Sequence, residues 1–222
     1  MRIIDDNPIR FDIDCVRRGL RISEEKLPPD NLRELVQAAE SLIRPRAIFQ
    51  IAYVEERGPL SATLDGVTFT SKVLAAKLEG VEKAFPFLIT IGSELEDAGK
   101  ASGDLLRQFY LESLGDEALR QAREYLGSHL VKNYGLAGIS SLSPGSLKDW
   151  PITEQAPLFS LFPEGGGIGV RLTGSMLMIP RKSISGIFFP TEETFFSCQL
   201  CPRENCPGRK ADYDKSLEDK FR

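Results

Sequence analysis

The 222-residue sequence has one histidine, one tryptophan, three methionines and four cysteines. Larger features are missing too, and each absence excludes something. No stretch approaches the roughly 20 consecutive apolar residues that a membrane-spanning helix needs. The opening Met1-Arg2-Ile3-Ile4-Asp5-Asp6-Asn7-Pro8 has no apolar segment behind its arginine, so it does not read as a secretory signal. Basic residues are not in excess: 28 Lys and Arg face 32 Asp and Glu, a net charge of -4. The isoelectric point near 5.3 argues against a nucleic-acid-binding surface. There is no internal repeat and no low-complexity tract. These absences describe a cytoplasmic protein with neither a membrane nor a nucleic acid as partner.

Some motifs also fall short. Glu164-Gly165-Gly166-Gly167 lacks the Lys-Ser/Thr ending and the following helix of a phosphate-binding loop. Asp149 and Glu154 are five apart beside Trp150 without paired acid–base spacing. His129, alone near the end of a long helix, reads as a surface or capping residue. Ser93 at a helix start reads as a cap rather than an anion site.

What remains is ordinary for a globular protein: 41% hydrophobic and 27% charged residues, in a chain long enough for one large domain or two small ones. Asp30 caps an expected helix over 31–43, with Leu32, Leu35, Val36, Ala39 and Leu42 on one face, and Pro45 ends it. A strand follows over 47–54. Asp65-Gly66 reads as a hairpin turn, and Ser71 caps a short helix that Gly80 stops. The apolar run 85–91 reads as a buried strand with Pro86 near its start or at an edge. Gly92-Ser93-Glu94 turns that strand into a helix, and a longer helix runs from 104 to about 126. Gly115 inside the long helix costs about 1 kcal/mol against Ala, which calls for close backbone packing there. Residues 138–169 are rich in Ser, Pro and Gly and carry one helical piece, 153–161. Strands over 168–172 and 183–189 follow. Because this order is irregular, the expected class is α+β.

Three of the four cysteines fall in one nine-residue run, Cys198-x2-Cys201-x4-Cys206. A packed core does not need three thiols so close together. Three chemistries answer to the spacing: an iron–sulfur cluster, a structural zinc site, or free thiols in a tail. For a closed site Cys15 or His129 is the candidate fourth ligand. Pro202 and Pro207 stiffen the run, and Arg203, Arg209 and Lys210 flank it.

The loop 141–151 is too long and particular for a simple connector. Ser143-Pro144-Gly145, Asp149-Trp150-Pro151 with Gln155 and Leu158-Phe159, Ile168-Gly169-Val170-Arg171-Leu172-Thr173, and Ile179-Pro180-Arg181-Lys182-Ser183-Ile184-Ser185-Gly186 follow one another in an ordered series. Upstream come Ser71-Lys72, then Gly80 with Glu82-Lys83-Ala84, then Thr90-Ile91-Gly92. Over most of residues 10 to 190 this series resembles the activation domain of cobalamin-dependent methionine synthase, and more closely its small stand-alone relatives.

The resemblance implies a curved antiparallel sheet with flanking helices over 1–190; the cysteine-rich extension over 191–222 lies outside the part it covers. The resemblance implies a corrinoid protein or methyltransferase as partner, with the cobalamin carried by that partner. It also implies S-adenosylmethionine as methyl donor in restoring oxidised cobalt, bound along the loop at Ser143, Pro144 and Gly145. The chain departs from the family pattern in places. The family's carboxylate-clamping Arg is Ser141 here, its Tyr is Ser146, and its Thr-Glu-Ser segment is Thr173-Gly174-Ser175. A serine cannot replace the bidentate fork of an arginine, and Arg171, Arg181 and Lys182 are the candidates to supply the charge. A non-catalytic module that docks a corrinoid protein is the alternative to a redox role.

Overall fold

Strand Lys83–Thr90 has seven buried residues out of eight, and the rest of the chain is arranged around it. The structure is a computed structural model that describes residues 1–20, 23–25, 27–206 and 208–221. In chain order the strands are β1 (Arg2–Ile4), β2 (Arg46–Phe49), β3 (Ala52–Arg57), β4 (Ser61–Leu64), β5 (Val67–Thr70), β6 (Lys83–Thr90), β7 (Ile139–Leu142), β8 (Arg171–Leu172), β9 (Met178–Ile179) and β10 (Ser183–Pro190). The helices are α1 (Ile13–Leu20), α2 (Pro29–Leu42), α3 (Lys72–Lys77), α4 (Glu94–Ala101), α5 (Leu105–Tyr134), α6 (Gln155–Ser160) and α7 (Lys215–Asp219).

The main sheet is antiparallel throughout. One edge of β6 pairs with β10, which pairs onward with β7. The other edge is shared: β2 takes Phe87 to Thr90, and β3 takes Lys83 and Ala84. β1 extends the sheet beyond β2, and the β4–β5 hairpin extends it beyond β3. β8 and β9 form a separate ribbon. Alternation along β6 and β10 sends neighbouring side chains to opposite faces. Phe85, Phe87, Ile89 and Phe188 join a core with α2, α4 and α5. Ala84, Leu88, Ile187 and Phe189 join a second core with α3, α6, Trp150 and Phe162. The tail folds back onto this second core: Phe195 and Leu200 are buried in it, and Leu217 and Phe221 pack against it.

The α+β expectation holds, and so do several local readings. Asp65 and Gly66 have φ of 46° and 77° in the β4–β5 turn, as a type I′ hairpin requires. Ser71 Oγ accepts from the Leu74 amide at the start of α3. A Cβ at Gly115 would lie 3.3 Å from both Leu95 Cδ2 and Lys182 Cε, so the helix packs closely there.

Other readings need correction. α2 starts two residues earlier, after Pro28, and Asp30 lies in its first turn, paired with Arg33 at 2.9 Å. The strand expected over 47–54 is two strands, β2 and β3, broken at Gln50 and Ile51. Pro86 is not at an edge but in the central strand, opposite that break. Its carbonyl accepts from Gln50 at 3.2 Å. The carbonyl and amide positions of one strand residue face the same neighbour, so the missing proline N–H falls at the gap and costs no ladder bond.

α5 runs eight residues past Leu126, to a left-handed cap at Gly135 with φ 62°, because Leu130 continues its buried stripe. Of the expected strand 168–172, only Arg171–Leu172 pairs. The preceding Gly165, Gly166, Gly167 and Gly169 all have positive φ, which turns the backbone away from extension. β1, α1, β7 and α7 are too short to stand out by periodicity.

Candidate functional site

The loop after β7 is a closed turn. The Gly145 amide donates to the Trp150 carbonyl at 2.8 Å, and the Ser146 amide to the Ser143 carbonyl at 3.1 Å. Ser146 Oγ donates to the same carbonyl at 2.6 Å, so the serine at the family's tyrosine position serves the turn itself. Gly145 has φ 83°, and a Cβ there would lie 2.8 Å from Ile152 Cδ1. Glycine is therefore required both by conformation and by space. Trp150 is fully buried, its ring edge-on to Phe69 at 6.1 Å.

Asp149 is a structural anchor. Its carboxylate accepts from Ser71 Oγ, from the Lys72 amide at 3.2 Å and from the Val73 amide at 3.0 Å. These are donors at the start of α3 that no helical carbonyl can reach. Glu154 does the same for the Thr70 amide at 2.9 Å. The loop is thereby tied to the β5–α3 junction at two points.

Several buried polar atoms around this turn have no partner among the described residues: Ser143 Oγ, Trp150 Nε1, Gln155 Oε1 and Ser185 Oγ. They belong to the turn, to α6, and to β10 on which α6 packs. Each unsatisfied buried group costs about 1–3 kcal/mol, and a polar ligand that pairs them recovers part of that cost.

The residues considered as a substitute clamp are mostly engaged elsewhere. Arg181 pairs with Glu96 at 2.7 Å and Glu112 at 3.1 Å, and Lys182 pairs with Asp116. Arg171 is exposed on the ribbon. Gly174 is exposed in the ribbon's turn, where Thr173 Oγ1 accepts from the Leu177 amide at 3.0 Å. Arg123 on α5 stood out in no sequence motif. Its Nη2 donates to Ser141 Oγ, so a guanidinium does reach the position where the family's own arginine is absent. Burial pulls this guanidinium below its ordinary pKa, while the Glu124 carboxylate and the Cys198 thiol oppose that. Only its place in space identifies it.

Cys198, Cys201 and Cys206 are half-buried and free, and Cys15 is exposed. Arg209 organises their loop, donating to the carbonyls of Cys198 at 3.3 Å, Cys201 at 3.0 Å, and Arg203. Cys198 Sγ accepts from the Lys210 amide at 3.4 Å. Pro207 lies outside the described residues. Among the described residues no three His, Cys, Asp or Glu side chains are grouped to hold a metal. Neither candidate fourth ligand is directed at the loop: His129 stacks edge-on to Phe49 at 6.1 Å, and Cys15 Sγ accepts from Arg18 at 3.1 Å.

Residues 143–214 match the family model described as vitamin B12 dependent methionine synthase, activation domain. The resemblance is to the methionine synthase activation-domain family. The matched segment begins at the turn and runs through the ribbon, β10 and all three clustered cysteines. Among solved structures, the crystal structure of the MetH reactivation domain bound to AdoHcy aligns with a TM-score of 0.56 at 16% identity. That alignment covers 88% of this chain and 79% of the other. The reactivation-domain fold is thus shared across nearly the whole chain, although little of the sequence is. No protein of curated function matches the chain. Among the described residues no helix is long and apolar enough to cross a membrane.

Proposed function

We propose that this chain is a cytoplasmic accessory protein of corrinoid-dependent methyl transfer that assists reductive reactivation of an oxidised cobalamin protein. The observation that carries the reading is the match of residues 143–214 to the activation-domain family, on a fold shared with a reactivation domain. In this reading residues 1–190 form the activation fold and 191–222 the cysteine-bearing extension. The partner carries the cobalamin and S-adenosylmethionine is the methyl donor. The cobalamin, held by the partner, would supply the methyl-accepting centre once an external one-electron reductant has acted on it, and S-adenosylhomocysteine would be the leaving product of the donor. Ser143, Pro144 and Gly145 line the donor site. Support comes from the bare backbone at Gly145 and from the unpartnered Ser143 Oγ, Gln155 Oε1 and Ser185 Oγ. Calorimetric titration with S-adenosylmethionine tests the donor site: binding in the micromolar range is expected, and no heat at millimolar ligand removes it.

The cysteines are the finer part of the proposal. As arranged, their thiols do not converge on one point, so no step of the reactivation is assigned to them. The reading of Cys198, Cys201 and Cys206 as ligands of an iron–sulfur cluster or zinc rests on their spacing and on the Arg209-held frame. Metal and sulfide analysis after anaerobic purification decides it. Iron with sulfide, or zinc, near one site per chain is expected, and a colourless metal-free protein leaves a docking module.

A further inference from the structure

A cleft of about 410 Å³ opens between α5, β7 and residues 194–196, a volume suited to a small ligand. Much of its lining is apolar, with Val131, Ile139, Phe188 and Phe195 contributing. Arg123 enters it, and among the described residues its guanidinium donates only to a neutral group, Ser141 Oγ. Among the described residues no carboxylate lies in ion-pair range of Arg123. The adjacent Glu124 is held by Arg120 at 2.6 Å and by Lys210 at 3.2 Å. A guanidinium has five N–H donors and does not give up its proton, and a charge shielded from water needs a counter-charge. Lys210 and Glu124 balance each other, and Lys132 is exposed. The charge left over inside the cleft is one positive unit on a planar fork whose geometry suits a carboxylate.

We propose that this cleft binds a small-molecule monocarboxylate with a flat apolar body, its carboxylate on Arg123 and its body against Phe188 and Phe195. Ser141, which Arg123 reaches, is two residues before the donor turn at Ser143–Gly145; the naphthoate comparison is read with no methyl donor present, and calorimetry with S-adenosylmethionine reads the donor site by itself, so the two failures are distinguishable. A phosphate dianion would carry one negative charge more than Arg123 balances.

Fluorescence anisotropy titration of the full chain with 2-naphthoate and with the neutral 2-naphthamide tests the proposal. The carboxylate should bind at least about tenfold more tightly, the scale of one charge-assisted hydrogen-bond pair. Arg123→Gln should erase that preference. Equal affinity for the two probes in the unaltered chain, or no binding of naphthoate, overturns the proposal, and this comparison stands even if the variant fails to fold. Location is read separately. Cys198 Sγ accepts from the amide of Lys210, which lines the cleft, so saturating naphthoate should slow its alkylation by iodoacetamide several-fold while leaving Cys15 unaffected. An unchanged Cys198 rate puts the ligand elsewhere and overturns the site. Stronger displacement of naphthoate by inorganic phosphate than by acetate overturns the carboxylate assignment.

Discussion

The two faces of the β6–β10 pair are both closed to water, but by different means. On one face α2, α4 and α5 lay down helical stripes of Leu, Ala and Val, and the polar traffic is ion pairs near the surface. On the other, the cover is two short helices plus the 141–151 loop, the 163–170 glycine turns and the tail. Irregular backbone cannot satisfy its own polar groups as a helix does, so this face needs Asp149, Glu154, Ser140 and Arg209 to do it. The Phe195 amide, for example, donates to Ser140 Oγ at 2.8 Å. The loop-covered face and the edge beside it also hold four unpartnered polar atoms of the turn, α6 and β10, the Arg123 cleft and the cysteines. The helix face has unpartnered buried polar atoms as well, Asn7 Oδ1, Arg17 Nη2 and Tyr134 Oη, but they are scattered, whereas those around the turn and α6 lie close together.

The largest test of this contrast is Trp150→Ala. It empties a fully buried ring site between the turn and Phe69, and about 3–5 kcal/mol of stability should be lost, read by urea denaturation. If the loop face is a separable coat over the helix face, the variant will unfold in two steps, with Trp-free probes of α5 melting last. A single shifted transition means the two faces form one cooperative unit. Asp149→Ala should cost less, about 1–3 kcal/mol, since it leaves the first amides of α3 and Ser71 without their acceptor. Its effect should fall on the turn, raising proteolytic cleavage within 143–150 more than anywhere on α2.

The smallest effect is expected on the helix face, and it depends on pH. Burial pushes the Glu96 carboxyl upward, but the Lys100 hydrogen bond at 2.6 Å and the Arg181 charge at 2.7 Å outweigh it. Together they hold the group below its ordinary value of 4.5. A depressed acid stabilises the fold fully above its unfolded pKa, and that contribution is lost as the pH falls through the lower folded value. Stability should therefore decline below about pH 4.5, and Glu96→Gln should flatten part of the slope. An unchanged acid slope in Glu96→Gln would mean the Arg181 cluster is only a solvated surface feature.

The helix face was the more legible of the two. Leu32, Leu35, Val36 and Ala39 announce α2 by their spacing, and Gly115 announces a close approach. Legibility failed where tertiary pairing overrode local pattern. Ala47 to Val54 is one apolar run in sequence, yet two partners share the β6 edge and split it at Gln50. The site was half legible: the Ser143–Gly145 turn and Asp149-Trp150 stood out as motifs, whereas Arg123 sits on an ordinary helical stretch eighteen residues before Ser141.

By itself the sequence determined the α+β class, the buried strand around Phe87, the Asp65-Gly66 hairpin and the family resemblance. These follow from side-chain periodicity, from the few residues that tolerate positive φ, and from ordered motifs. Only the tertiary structure decided which groups meet. It spent Arg181 and Lys182 on acids of α4 and α5, left Arg123 beside Ser141 with no carboxylate in range among the described residues, and set Cys198 Sγ on the amide of Lys210 at the same cleft. The physical reason is that charge pairing and desolvation depend on distances between segments far apart in the chain, which no local pattern encodes.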